Sequence, residues 1–302
     1  MKKTVAIFGS TGAQGSPVVS AALAKGLTVR AVARDLNKIA DRHPEAEAFS
    51  ATLDDVEAIT QALEGVDAAF LHLPMPVGPD DAQTWLTNFM IGAKRAALPL
   101  LVYTTSGPSG NRYPESMMIE ASTGGMQAIM NSGIASIVLQ PSIYLENLQS
   151  EMIVPKLHSQ GILDYPPLDA NTQIQWTSHY DQALVAVAAL TRPDLAGNAY
   201  EIGSKGALTG EMLARELEPW VGKSVTFSPL SPADFGQRVG DAIGSPGAAF
   251  ALTDLYSSLA KMRTDEMQVN LLKIEEIFDV QLLSIKEHLA NWQANSESLN
   301  QS

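Results

Sequence analysis

The 302-residue chain contains no cysteine. That excludes disulfides, thiolate nucleophiles and thiol redox sensing. Any catalysis must rest on a bound cofactor or on oxygen and nitrogen groups. Cationic residues are scarce: 20 Lys and Arg stand against 33 Asp and Glu, a net charge of −13. Such a surface repels nucleic acid and anionic membrane, so neither is an expected partner. Long apolar runs are also missing. The longest, Ala183 to Leu190, is well short of the roughly 20 residues that cross a bilayer. The start Met1-Lys2-Lys3 is followed by too few apolar residues before Gly9 for a signal peptide, and a cytoplasmic location is expected. Only five histidines occur, none at metal-ligand spacing, so no metal is expected. Hydrophobic residues make up 45% and charged residues 18%, which suits a packed core. The length fits one large α/β domain or one domain with a smaller lobe.

What is present begins at the N-terminus. Lys3-Thr4-Val5-Ala6-Ile7-Phe8 is β-prone and runs into Gly9-Ser10-Thr11-Gly12-Ala13-Gln14-Gly15. Small and apolar residues, Pro17 to Leu23, follow. This reads as strand, glycine turn, helix, the context in which such a turn offers backbone N–H groups and a helix dipole to a pyrophosphate. Gly9 permits the turn, Gly12 the approach of the phosphates, and Gly15 close packing of helix on strand. A second strand, Leu27 to Ala33, ends at Arg34-Asp35, 19 residues past Gly15 at Arg34. A carboxylate at that point would bind a 2′-hydroxyl; a guanidinium suits a 2′-phosphate. Lys38 adds a second cation, and NADP(H) is predicted over NAD(H). Asp35 next door is the competing reading.

Strand-like and helix-like segments then alternate. Strands are predicted at 47–51, 68–73, 98–104 and 134–139, with Pro74 and Pro76 stopping the second of these. Helices are predicted at 56–63, 82–97 and 117–131. The pattern specifies a doubly wound parallel sheet, a Rossmann α/β fold. After Ser142 it loosens. Residues 161–176 read as a long loop, 181–191 and 209–221 as helices, and 200–203 and 225–227 as short strands. Ser231-Pro232-Ala233-Asp234 opens another helix. Ser284-Ile285-Lys286-Glu287 is a capping box for a last helix ending near Asn295. The expected organisation is a dinucleotide domain at 1–142 and a smaller α/β C-terminal substrate lobe at 143–295. The chain is expected to cross back near 170–203, and 296–302 to form a frayed tail.

The turn GSTGAQG, Arg34, and Val102-Tyr103-Thr104-Thr105-Ser106 together resemble the NmrA-like family of atypical short-chain dehydrogenases/reductases. Asn131-Ser132-Gly133-Ile134, leading to Gln140-Pro141-Ser142-Ile143-Tyr144-Leu145-Glu146-Asn147, resembles the family's "SG…LRP…EN" segment. Leu208 through Val225 to Phe235 resembles its C-terminal helix–strand–helix unit. The resemblance covers nearly the whole chain. It implies an NADP(H)-preferring Rossmann domain in either a small-molecule reductase or a non-catalytic redox sensor that binds a protein partner. It implies cofactor contacts from Gly9, Thr11, Gly12, Gln14 and Gly15 at the pyrophosphate and Arg34 at the 2′-phosphate. Leu73 and Pro74 would border the ribose, Thr104 and Thr105 would lie nearer the nicotinamide, and Pro141, Tyr144 and Asn147 would lie beside it. Thr52 stands where the family often has Asp near the adenine.

Neither Tyr103 nor Tyr113 is followed four residues later by Lys. The Tyr–Lys pair that lowers a phenol's pKa for alcohol chemistry is therefore absent. Residues 115–133 contain no Lys, Arg or His, and no side-chain acid for carbonyl reduction is evident. Hydride transfer needs only placement of the nicotinamide, and a quinone's product anion can take a proton from water. An NADPH-dependent reductase of a quinone or similarly activated acceptor is therefore the leading expectation. The alternative is the NADP(H)-responsive regulator. Met75, Tyr113, Met117, Met118, Tyr144 and Trp176 are candidate pocket walls, with Tyr113 and Tyr144 as candidate hydrogen-bond donors to substrate. Met126 and Met130 read as core. His72 reads as buried in a strand, His43, His158 and His288 as surface residues, and His179 as a candidate for the cleft wall.

Overall fold

The computed structural model describes residues 2–75, 80–166, 169 and 171–300, the side chains of 265 and 295–300 excepted. Pro76, expected to help stop the fourth strand, and residues 301–302 of the expected tail lie outside the described residues. The strands are β1 (Thr4–Phe8), β2 (Thr28–Ala33), β3 (Glu47–Ser50), β4 (Ala68–Leu71), β5 (Leu101–Thr104), β6 (Ser136–Pro141), β7 (Ile143–Tyr144), β8 (Ile162–Leu163), β9 (Trp176–Thr177), β10 (Asn198–Ile202) and β11 (Thr226–Phe227). The helices are α1 (Gly15–Ala24), α2 (Leu36–Arg42), α3 (Val56–Leu63), α4 (Asp81–Arg95), α5 (Met117–Met130), α6 (Leu157–Gln160), α7 (His179–Ala189), α8 (Gly210–Val221), α9 (Pro232–Ile243), α10 (Pro246–Leu259), α11 (Thr264–Met267), α12 (Leu271–Phe278) and α13 (Ile285–Asn300).

Seven strands form one sheet in the order β3-β2-β1-β4-β5-β6-β10. Every pairing in it is parallel. In β1 the side chains alternate between faces. Val5 and Ile7 enter one core with α1, α7 and the Ile274 and Phe278 side chains of α12. Ala6 and Phe8 enter another with α3 and α4. Both faces are covered, as a parallel sheet requires. The order reverses at β1, so the crevice for a ligand opens at the carboxyl ends of β1 and β4.

A third core lies apart from the sheet and gathers α8, α9, α10 and α13 around Tyr165, Trp176 and Phe235. In it α9 and α10 cross at glycines: a Cβ on Gly236 would overlap Thr253, and one on Gly240 would overlap Ala249. The segment 161–176, expected as loop, carries β8 and β9, which pair with β11 and β7. The predicted capping box forms, with Ser284 N–H donating to Glu287 Oε2 at 2.7 Å and Glu287 N–H to Ser284 Oγ at 3.2 Å. Its helix α13 continues to Asn300, past the expected end. His43 and His288, expected at the surface, are buried at 5% and 3% exposure, because each ring has a polar side-chain partner described below. Among the described residues no helix is long and apolar enough to cross a membrane, and no cluster could hold a metal.

Candidate functional site

The glycine turn is built by close contacts. Gly9 has φ +72°. A Cβ there would overlap the His72 ring, and one on Gly15 would overlap the Gly9 carbonyl. Gly12 N–H donates to Gly9 O at 2.9 Å and closes the turn. Gln14, at the N-cap of α1, makes no side-chain cap, so its side chain does not shield the helix N-terminus from an anion. Its amide turns away instead. Gln14 Oε1 accepts from Tyr144 OH at 2.9 Å and from Ser106 Oγ at 3.2 Å. The far side of the turn is clamped from the end of α2. Arg42 donates to Thr11 O, and Ser16 Oγ lies 2.9 Å from His43 Nε2. Neither clamp residue was foreseen, because Arg42 ends and His43 follows a short helix whose sequence points only to its own start.

At the carboxyl end of β2, Arg34 and Lys38 are exposed, and neither makes an ion pair among the described residues. The competing carboxylate is committed: Asp35 caps α2, accepting from Asn37 N–H at 3.0 Å and Lys38 N–H at 3.3 Å. Thr52 is half-buried, and its carbonyl accepts from Asp55 N–H at 3.3 Å.

At the other end, Thr104, Thr105, Pro141 and Tyr144 are buried at the strand ends. Thr104 Oγ1 donates to Gln182 Oε1 at 3.2 Å, and Tyr144 OH lies 2.6 Å from the same oxygen. Gln182, on α7, thus ties the returning chain to the glycine turn; nothing in its local sequence announces this. Burial pushes the Tyr144 phenol far above its ordinary pKa and Tyr113 up to about 12, so both stay protonated. Tyr113 is half-buried beneath the Arg112 guanidinium, whose Nη2 donates to its hydroxyl at 3.0 Å. Asn147 Nδ2 donates to Tyr165 OH at 3.0 Å. Leu73 is half-buried and Pro74 exposed; Met75 and Met117 are open at 77% and 52%. Trp176, expected on a pocket wall, has no exposed surface: β9 holds it inside the third core against Tyr165.

Three histidines and two carboxyl groups complete the region. His72 lies 3.1 Å through Nδ1 from Leu73 O, and its Nε2 is enclosed against Gly9 without a partner. Burial lowers its pKa. His179 packs on the Tyr144 ring at 4.4 Å and is held down to about 4 by burial, with His72 adding to the effect. Glu146 accepts the His179 backbone N–H at 3.0 Å on Oε1. Burial raises its carboxyl to about 7. Beside them His288 Nε2 lies 2.8 Å from Asp181 Oδ2 and 3.0 Å from Ser178 Oγ. All three are buried, and both contacts use one ring nitrogen, so the set is a pin between α13 and α7 rather than a nucleophilic triad.

The chain is similar to several known proteins. An NAD(P)H azoreductase of Xenophilus azovorans is 27% identical over 256 residues, 84% of this chain and 86% of that protein. The NADPH-dependent quinone oxidoreductase of Escherichia coli, solved in complex with NADPH, superposes with a TM-score of 0.77 at 22% identity, covering 95% of this chain and 98% of that one. A triphenylmethane reductase of Citrobacter sp. also gives 0.77, at 18% identity, covering 97% and 100%. The sequence profile of the NmrA-like family matches residues 1–293, and the chain belongs to that family.

Proposed function

We propose that the protein is an NADPH-dependent reductase that delivers hydride to a small activated acceptor, best a quinone. The observation that carries the reading is the pairing at the end of β2: Arg34 is exposed and makes no ion pair among the described residues, while Asp35 is locked into the α2 cap. A 2′-phosphate would meet a fixed cation there, with Lys38 behind it. The crowded turn at Gly9, Gly12 and Gly15 and the α1 N-terminus without a side-chain cap suit a pyrophosphate. Bound NADPH would supply the hydride from its nicotinamide. The chain's own part is positioning. Gln14, Gln182, Thr104 and Tyr144 form one hydrogen-bonded brace that fixes the glycine turn against the ends of β5 and β7. Met75, Met117 and Tyr113 supply apolar and hydrogen-bonding surface for an acceptor. The named activities of the azoreductase, quinone oxidoreductase and triphenylmethane reductase relatives support hydride delivery to conjugated acceptors. In this reading residues 1–142 together with the returning 170–203 segment carry the dinucleotide, and the rest of 143–295 roofs the acceptor.

The test is NADPH oxidation by purified protein with a quinone panel, repeated with NADH. Turnover with NADPH much faster than with NADH is expected. Confirmed NADPH binding with no turnover of any quinone, azo compound or triarylmethane dye would overturn the reductase reading in favour of a sensor.

A further inference from the structure

Hydride addition to a quinone leaves an oxyanion, and the sequence offers no cationic acid near the acceptor. The structure supplies a carboxyl. Glu146 lies on the turn Leu145–Gln149, two residues past Tyr144, whose hydroxyl reaches Gln14 of the glycine turn. Its Oε1 is fixed by the His179 backbone N–H. Its Oε2 is enclosed, makes no hydrogen bond, and lies 3.6 Å from His179 Nδ1. The His179 side chain is 12% exposed, and neither of its ring nitrogens has a hydrogen-bond partner among the described residues.

We propose that Glu146 and His179 form the proton-donating pair of the site. His179 gives its Nε2 proton to the acceptor oxyanion, and Glu146 passes its carboxyl proton to Nδ1. The N–H bond at Nε2 and the O–H bond at Oε2 break; an O–H bond on the product and an N–H bond at Nδ1 form. The imidazole ends neutral in its other tautomer and Glu146 ends as a carboxylate, reprotonated from solvent through the imidazole once product leaves. The two reducing electrons come with the hydride of NADPH, so the inference rests on the reductase reading.

The surroundings suit this role. Burial holds Glu146 up to about 7, so the carboxyl carries a proton at and below neutral pH. Burial and His72 hold His179 near 4, so its ring conducts rather than stores charge. Asp181 raises the Glu146 pKa and His288 lowers it, and those two are engaged with each other. Tyr144, against the His179 ring, stays neutral. Quinone reduction should therefore fall as pH rises through about 7.

The test compares two acceptors under saturating NADPH. A benzoquinone needs hydride and a proton; a cationic triarylmethane dye is neutralised by hydride alone. The quinone-to-dye rate ratio should fall ~100-fold in Glu146→Gln, the scale of a lost general acid. It should fall similarly in His179→Asn. The wild-type quinone rate should show a larger solvent deuterium effect than the dye rate. A ratio preserved in both variants overturns the pair. If the wild type binds NADPH but reduces no quinone, azo compound or triarylmethane dye, the reductase reading fails, and the pair is judged without turnover by infrared titration. A carboxyl band titrating near neutral pH and lost in Glu146→Gln supports it; no such band, or one titrating in the ordinary carboxylate range, overturns it.

Discussion

Arg34 and Asp35 are neighbours with opposite charges and opposite duties. Removing the guanidinium should weaken NADPH binding by about 1.5–3 kcal/mol, the scale of hydrogen bonds to a charged group, and leave NADH nearly untouched. Fluorescence titration with both dinucleotides checks this. Asp35→Ala should instead cost about 1 kcal/mol of stability through the lost α2 cap, with no change in the NADPH/NADH preference. A switch toward NADPH in that variant would mean the carboxylate does read the ribose. Glu146 gives a pH signature. Its folded-state pKa of about 7 exceeds the ordinary 4.5, so its favourable contribution is fully present below about 4.5 and lost as pH rises through about 7. Glu146→Gln should therefore gain up to about 3 kcal/mol over wild type in alkaline relative to acidic denaturation series. The glycine turn was legible because a backbone turn is local. Glu146 was not, since its partner His179 is 33 residues away on another element.

Elements that meet without side chains between them are sensitive to single methyl groups. At the α9–α10 crossing, Gly236→Ala must push a Cβ into Thr253 and should cost about 1–3 kcal/mol by overpacking. Chemical denaturation measures it; an unchanged midpoint would show that the two helices slide apart freely. The pin between α7 and α13 is the polar counterpart. His288→Ala strips Asp181 and Ser178 of a buried partner and should cost about 3 kcal/mol. The long alternating segments of the first half were readable because hydrophobic period and turn residues coincide there. The two-residue strands β8 and β9 are too short to show a period, and only their partners β11 and β7 define them. Likewise His43 and His288 looked like surface residues, because a polar residue's burial depends on a distant partner that local sequence does not reveal.

Across the whole molecule, the doubly wound class followed from the order of segments, yet the sheet is not completed by the residues that begin it. β10 pairs with β6 only after the chain has left the sheet and returned, from Asn198 opposite Ile137 to Ile202 opposite Pro141. Ile274, Phe278 and Leu282 close the core beside α1 later still. A fragment ending at residue 142 should therefore fail to bind NADPH and should lack cooperative thermal unfolding, as circular dichroism and dinucleotide titration can establish. The same topology bears on how the chain is made. On a ribosome advancing at roughly 5–20 residues per second, the stretch from β6 to Leu282 takes on the order of ten seconds to emerge. Until β10 emerges, Ile137, Val138 and Leu139 present an unclaimed parallel edge, open to strands of other nascent chains. Translation speed through the second half of the message, and chaperone cover during it, thus become determinants of yield that no property of the finished protein would disclose.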